Sequence, residues 1–300
     1  MVPAIADLFR RGLRDQAARA ELAEQTIVEG GARRLRRGVL DSDDPEEAFH
    51  ELPAWVRPHL REMLERYRGT LFDPPMPEFF TVLDAVRVVG RGVASWPRVR
   101  LVVLVAGDTD AQDDDVLIEI KEANDSGAEG WIPPGSYADD VPGRIRQATQ
   151  WVWARPHTER LWSATTWLGI PIQIRLEAES QKVLRVDRQE GNRGTPEALI
   201  ALGRELGMML ARVHAAPAPG ADGCARAITE AIGRDPMRFV EGEVEVALAY
   251  ADRVETDFEH FKDALLRLGP TLGVPVDVRD RARDDLRALF DAPEPVRSWE

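Results

Sequence analysis

The chain has 300 residues, of which 44% are hydrophobic and 30% charged, and its formal net charge at pH 7 is −13. This length and composition predict a globular protein of two or three compact units, and the negative charge argues against a general nucleic-acid binder, which needs a basic face. The single cysteine, Cys224, excludes an intrachain disulfide and a cysteine-rich zinc site, and the lack of a long apolar run or signal-peptide core predicts a cytoplasmic protein without a membrane partner.

Residues 1–71 are predicted to form an N-terminal helical region. Apolar residues recur at helical spacing over residues 3–40, apart from an interruption by a pair of glycines. An acidic loop then leads to Pro45, which favours the first position of a further helix. Another helix is predicted over 53–68, and the proline-rich segment 72–77 ends the helical pattern.

Residues 79–190 are predicted to form an antiparallel β-lobe. Short segments rich in β-branched and aromatic residues are typical of strands, and one amphipathic segment among them favours a helix. The predicted strands span 81–89, 99–106, 116–123, 161–167 and 170–176, and the helix spans 142–154. The lobe therefore consists of about five strands and one helix.

Residues 191–300 are predicted to form a C-terminal helical lobe. The helix over 195–215 has the clearest start, with Thr195 as the capping residue and Pro196 at the first helical position. Apolar periodicity predicts three more helices. They span 224–232, 236–268 and 278–290.

Two features of the β-lobe suggest a phosphate site. Gly90, Gly92 and Ser95 lie in the turn between the first two strands, and Lys121 lies near the end of the third strand. In kinase-type folds a glycine-rich turn approaches the phosphates of a nucleotide, and a lysine from the third strand meets their charge. The glycines are also consistent with a plain hairpin turn, and we favour this interpretation for them. Lys121 is also consistent with a lysine at the end of a strand that reaches solvent. For Lys121 both interpretations stay open.

Arg175 lies on a predicted core strand, where a guanidinium group needs a partner. It either binds an anion or pairs internally with a glutamate such as Glu177 or Glu205. We expect the internal pair.

Five landmarks, taken in order, resemble a bacterial family called domain of unknown function 2252. They are Leu64-Glu65-Arg66-Tyr67, residues 84–92, Lys121-Glu122-Ala123, Ile174-Arg175-Leu176 and residues 247–252. The resemblance covers about residues 32–266 and corresponds to the later two-thirds of the family, which is distantly similar to aminoglycoside-phosphotransferase and protein-kinase-like folds. It implies an α+β protein in which a kinase-like small lobe joins a mainly helical lobe.

The resemblance also implies an incomplete catalytic apparatus. Fuller family members carry a Gly-Asp-x-His-x-x-Asn segment and an acidic Asn-Asp-Phe-Asp-type segment, which look like a catalytic base and metal ligands. Neither segment occurs in this sequence, and serine replaces the third glycine of the turn. We therefore predict a catalytically degenerate binding or regulatory module with residual nucleotide binding. The residues of that site are Gly90, Gly92, Ser95, Lys121 and Arg175, and no catalytic or metal-ligating residue is predicted.

Two other hypotheses stay open. In the first, the chain is a small-molecule phosphotransferase, which is complete alone or with a partner chain that supplies the catalytic aspartate and the metal ligands. In the second, the chain is a structural remnant of the family with no ligand. ATP and Mg²⁺ are the cofactors that the nucleotide hypotheses imply, although no residue makes either certain. A regulatory module implies a protein partner.

Overall fold

A computed structural model describes residues 2–39, 48–89, 98–109, 111–127, 140–153, 159–177, 182, 195–216 and 224–268. Contacts within the chain divide the protein into two compact units. The first unit consists of Met1–Ala218 together with Arg297–Glu300, and the second consists of Pro219–Val296. In the described residues, the first unit contains two β-sheets and the second contains two helices. The three regions expected from the sequence stay a prediction.

The first unit is a mixed α and β structure in which every strand pairing is antiparallel. Its helices are α1 (Pro3–Ala17), α2 (Ala20–Gln25), α3 (Val56–Arg68), α4 (Val141–Val152) and α5 (Pro196–His214). Its strands are β1 (Thr26–Glu29), β2 (Ala32–Leu35), β3 (Gly38–Val39), β4 (Ala48–Glu51), β5 (Val82–Val89), β6 (Arg100–Val105), β7 (Val116–Glu122), β8 (Ser163–Trp167) and β9 (Ile170–Leu176). The five predicted strands correspond to β5–β9, and the predicted helix between them is α4.

The main sheet has seven strands in the order β3-β4-β5-β6-β7-β9-β8. The expectation of about five strands was too low, because the N-terminal region adds β3 and β4 at one edge. At the other edge β9 pairs with β7, and β8 becomes the outermost strand.

The N-terminal region is only partly helical, which corrects the prediction of helix over residues 3–40. The helices end at Gln25, and β1 and β2 form a separate two-stranded hairpin. Its turn is Gly30-Gly31, with φ of +58° and +80°. Glycine adopts these angles without steric cost, and a two-residue turn of this kind matches the twist of paired strands. The helix expected to begin near Pro45 is also wrong where the structure describes the chain, since Ala48–Glu51 is strand β4.

The two faces of the main sheet have different neighbours. On the face that we call the inner face, Ile118 and Ile120 join an apolar core with residues of α3 such as Leu60 and Met63. On the opposite, outer face, Leu117 joins a smaller apolar cluster. The other members of that cluster are Leu22, Leu35, Phe49, Val86, Val88, Val102 and Leu104.

Hydrogen bonds attach α3 to the β8 side of the inner face. The buried hydroxyl of Tyr67 donates to the carbonyl oxygen of Leu161, and Trp167 Nε1 donates to the carbonyl oxygen of His59 at 3.2 Å. Both aromatic residues are almost fully buried. These bonds satisfy polar groups that would otherwise be costly to bury.

The second unit contains α6 (Cys224–Ile232) and α7 (Pro236–Leu268). Both helices have the predicted bounds. They are separated by a short turn that includes Gly233, with φ of +73°. The helix predicted over 278–290 lies outside the described residues. In the part of the chain that the structure describes, no helix is both long and apolar enough to cross a lipid bilayer.

Candidate functional site

Lys121 lies near the end of β7 and on the outer face of the sheet. Side chains alternate along a strand, so Ile118 and Ile120 enter the core while Glu119 and Lys121 point to the other side. This alternation confirms the prediction that Glu119 and Lys121 share a face.

The strand register brings further polar side chains beside this pair. Lys121 is directly opposite Arg100 on β6 and Gln173 on β9. Glu119 is directly opposite Arg175 on β9. Opposed residues on adjacent antiparallel strands have their Cβ atoms about 5 Å apart, so the three strands place these side chains in one small area.

Glu119 is the carboxylate of this area, and two arginines hold it. Arg175 Nε donates to Glu119 Oε2 at 2.6 Å, and Arg100 Nε lies 3.4 Å from Glu119 Oε1. The side chain of Glu119 is only 3% exposed, whereas that of Arg175 is 38% exposed. Arg175 therefore pairs internally, as expected, but its partner is Glu119 rather than Glu177 or Glu205.

Lys121 has no ion pair with any residue in the described ranges. Burial lowers the pKa of its ammonium group below the usual value, and the charge of Arg100 lowers it further. Arg175 and Arg98 act in the same direction, and Glu119 opposes them. The ammonium group therefore stands in a field that is positive on balance.

Arg98 adds a fourth cation beside the start of β6. Its Nη2 donates to the side-chain oxygen of Asn124 at 3.1 Å, with the amide oriented so that its nitrogen donates to the carbonyl oxygen of Ala123. A neutral amide does not cancel the charge of a guanidinium group. We call Arg98, Arg100, Glu119, Lys121 and Arg175 the cationic cluster; it combines four positive side chains with one negative one.

In sequence the glycine-rich turn lies between β5 and β6. Gly90, Gly92 and Ser95 lie outside the described residues. The structure describes the strands on either side, in which β5 ends at Val89 and β6 begins at Arg100, the residue opposite Lys121. The proximity of the turn to Lys121 stays a prediction.

Helix α4 follows Lys121 in sequence but contributes no carboxylate, since its sequence contains no acidic residue. Its Arg144 pairs with Asp125, and Arg146 donates to the carbonyl oxygen of Ala164. Among the residues with described positions, no group of three or more histidine, cysteine, aspartate or glutamate side chains is placed to hold a metal ion.

Sequence reasoning overlooked Arg98 and Arg100. A signal for Arg100 was available, because this residue occupies the first position of β6. In an antiparallel hairpin the start of the first strand pairs with the end of the second. Pairing the segments 100–105 and 116–122 end to end places Arg100 opposite Lys121.

Together the fold and the cluster define an α and β protein whose antiparallel sheet carries a compact group of cations on one face. The chain belongs to the family of domain of unknown function 2252 (DUF2252), described as an uncharacterized protein conserved in bacteria, whose model matches residues 3–264. The match begins well before residue 32, where the resemblance was expected to start. Comparisons with curated proteins and with solved structures found no match.

Proposed function

We propose that this protein binds a phosphorylated small molecule, most simply a nucleotide, at the cationic cluster, and that it acts as a binding or regulatory module without transferring the phosphoryl group. The observation that carries the proposal is the charge balance around Lys121. Among the described residues, Lys121 and three arginines lie around one buried carboxylate, Glu119, which pairs with two of those arginines. Without a ligand such crowding does not stabilise the folded protein, because like charges in a partly buried site repel one another.

A phosphate group complements this arrangement. Lysine presents a compact charge, and arginine presents a planar fork of donors that matches the oxygens of a phosphate. Glu119 engages Arg100 and Arg175 through their Nε atoms. Burial and repulsion from the arginines both lower the pKa of Lys121, and a phosphate that enters beside this lysine relieves the repulsion.

The order of elements supports a nucleotide as the ligand. A strand hairpin, a strand with a single lysine, a helix and two further strands follow one another as β5-β6, β7, α4 and β8-β9. This is the order in which the kinase-like small lobe was expected. In kinases the lysine of the third strand contacts the nucleotide phosphates, and we take Lys121 as the counterpart of that lysine.

The sequence favours binding over catalysis. Phosphoryl transfer needs an aspartate that orients the acceptor and ligands that hold Mg²⁺. The segments that look like these groups in fuller family members have no counterpart in this sequence. A bound nucleotide therefore lacks the groups that would activate an acceptor.

A thermal-shift assay with matched ligands tests the proposal. ATP with Mg²⁺, ATP alone, pyrophosphate and adenosine are compared on the wild type, on Lys121→Met and on Arg226→Ala. The last variant removes one cation from the second unit, at a side chain 78% exposed. We expect ATP and pyrophosphate to raise the melting temperature of the wild type and of Arg226→Ala, because a ligand that binds only the folded state stabilises it.

In Lys121→Met we expect that shift to fall by more than half, while the melting temperature without ligand stays equal or rises. No shift with millimolar ATP or pyrophosphate would refute the phosphate site. A shift with adenosine but not pyrophosphate would refute the role of the cluster. Lys121-dependent ATP hydrolysis by the pure protein would favour the phosphotransferase alternative.

A further inference from the structure

Helix α7 carries an unbroken heptad pattern along its whole length. Apolar residues recur at alternating intervals of three and four residues, which is the period of the contact seam of a coiled coil. The seam residues are Met237, Val240, Val244, Ala247, Ala251, Val254, Phe258, Phe261, Leu265 and Leu268. A helix of 33 residues is about 50 Å long.

Most of this seam is in contact with solvent. Met237 is 63% exposed, Val244 51% and Phe261 46%, while Phe258 and Leu265 are half-buried. Helices in water derive most of their stability from packing an apolar face, and soluble proteins rarely leave a long apolar stripe uncovered. The seam is therefore built to be covered by another helix.

We propose that α7 pairs antiparallel with α7 of a second copy of this chain. In an antiparallel coiled coil the residues at heptad position a of one helix pack against the residues at position d of the partner helix. When the midpoints of the two seams coincide, between residues 252 and 253, all ten seam residues find a partner. The layers are Met237 with Leu268, Val240 with Leu265, Val244 with Phe261, Ala247 with Phe258 and Ala251 with Val254, each occurring twice.

Side-chain size favours this orientation over a parallel one. In the antiparallel pair Phe258 meets Ala247 and Phe261 meets Val244, so a large side chain always faces a smaller one. In a parallel pair each residue meets its own copy. The Ala247 and Ala251 layers would then leave a gap, and the Phe258 and Phe261 layers would force the helices apart.

Charge favours the same orientation. Residues 236–252 contain four acidic residues and one arginine, whereas 253–268 contain four acidic and three basic residues. An antiparallel pair places the more acidic half of each helix beside the less acidic half of the other. It also brings Tyr250, which is 68% exposed, beside Asp257 of the second copy, where its hydroxyl can donate to the carboxylate.

Sedimentation of the full chain tests the association. We expect the wild type to be a dimer at micromolar concentration. Ala251→Glu places two carboxylates at the centre of the seam, so we expect its dimer dissociation constant to rise at least about a hundred-fold. Ala249→Glu is the matched control, because Ala249 is an exposed alanine of the same helix that lies off the seam; it should leave the dimer unchanged.

Disulfide crosslinking tests the orientation independently of the charge variant. Cys224→Ser first removes the native thiol, and Val240→Cys and Leu265→Cys are then introduced singly and together. The antiparallel pair places residue 240 of one copy beside residue 265 of the other, within the reach of a disulfide. It separates the two copies of residue 240 by about 38 Å. Only the double variant should therefore form a crosslinked dimer.

Three results would overturn the proposal. The wild type could remain monomeric at tens of micromolar concentration. The two glutamate variants could behave alike. A crosslink through a single cysteine at position 240 would establish a parallel pair instead.

Discussion

The two faces of the main sheet are held by different interactions, and β7 belongs to both. On the inner face Ile118 and Ile120 are fully buried among apolar side chains of α3 and the neighbouring strands. On the outer face the alternate residues, Glu119 and Lys121, lie among arginines. The same seven-residue strand therefore contributes to the larger apolar core on one side and to a cluster of charges on the other.

The difference separates residues that explain the fold from residues that do not. Apolar burial stabilises a protein roughly in proportion to the area removed from water. Folding stability alone therefore explains the apolar residues of the inner face. Buried charges contribute little net stability and are often replaceable by apolar residues. A cluster of them on a strand with four apolar residues is where we expect function rather than folding to have set the sequence.

The largest expected effect is on the inner face. Ile120→Ala removes three carbon atoms from a side chain with no exposed surface, and we expect it to lower the free energy of unfolding by about 4 kcal/mol. Ile120→Val, its smaller relative, should cost about 1 kcal/mol. Urea unfolding followed by circular dichroism measures both. A cost below 1 kcal/mol for the alanine variant would mean that the inner face is not the main core.

The outer face should respond differently to Glu119→Gln. We expect a loss of about 2 kcal/mol, because one arginine then faces an amide NH2 group instead of an oxygen and both arginines lose their opposing charge. Removing the negative charge should at the same time strengthen pyrophosphate binding, which calorimetry measures. Glu230→Gln, at an exposed glutamate of the second unit, is the control and should change neither quantity. Weaker pyrophosphate binding in Glu119→Gln would show that Glu119 organises an internal network rather than limiting an anion site.

The sequence predicted five strands of the main sheet, β5–β9, and for a clear reason. Segments such as β6 and β7 are short, rich in branched residues and bounded by turns, so their length and composition exclude a helix. Helix α7 was equally clear because its period extends over 33 residues. Both signals are local and do not depend on the remainder of the fold.

The N-terminal hairpin was missed because its local signals conflict. Alanine and arginine around Gly30 and Gly31 favour a helix, and the pair of glycines was interpreted as an interruption. Two consecutive glycines between Thr26-Ile27-Val28 and the following strand are instead a strong hairpin signal. Giving the glycines more weight than the helix propensity would have predicted β1 and β2.

The site was predictable only in part. Alternation along β7 is a local property, so the shared face of Glu119 and Lys121 could be predicted. The pairing of Arg175 with Glu119 depends on β9 lying next to β7 while β8 takes the edge. Since β8 comes first in the chain, no local pattern indicates that order, and nearby glutamates such as Glu177 looked like better partners.

Asp84 tests how much a buried carboxylate contributes to stability at the apolar end of the outer face. Burial alone would raise the pKa of this carboxyl, but hydrogen bonds from Arg37, at 3.0 and 3.1 Å, and from the backbone N–H of Ala85 outweigh it and hold the pKa below its usual value. Its contribution to stability is therefore fully present above the unfolded-state pKa, about 3.9, and is lost as the pH falls through the lower folded-state value. We expect Asp84→Asn to cost about 1.5 kcal/mol at pH 7 and progressively less below pH 4.

Urea unfolding across the pH range measures this dependence. Glu62→Gln is the matched control, because Glu62 also pairs with an arginine at 3.0 Å, but its side chain is 61% exposed. An exposed pair contributes little, so this variant should stay within about 0.5 kcal/mol of the wild type at every pH. An equal response of the two variants would mean that burial does not strengthen the pair of Asp84 and Arg37.

The smallest expected effect lies on neither face, in the turn between β8 and β9. Leu168 and Gly169 form a two-residue loop with φ of +50° and +77°, and a leucine is strained at a positive φ whereas asparagine tolerates it. We expect Leu168→Asn to raise the free energy of unfolding by about 0.5 to 1 kcal/mol, seen as a higher melting temperature. Leu83→Asn is the control, because Leu83 is similarly exposed, 42% against 44%, but does not have a positive φ. If both variants were destabilised alike, loss of an exposed leucine rather than backbone strain would determine the effect.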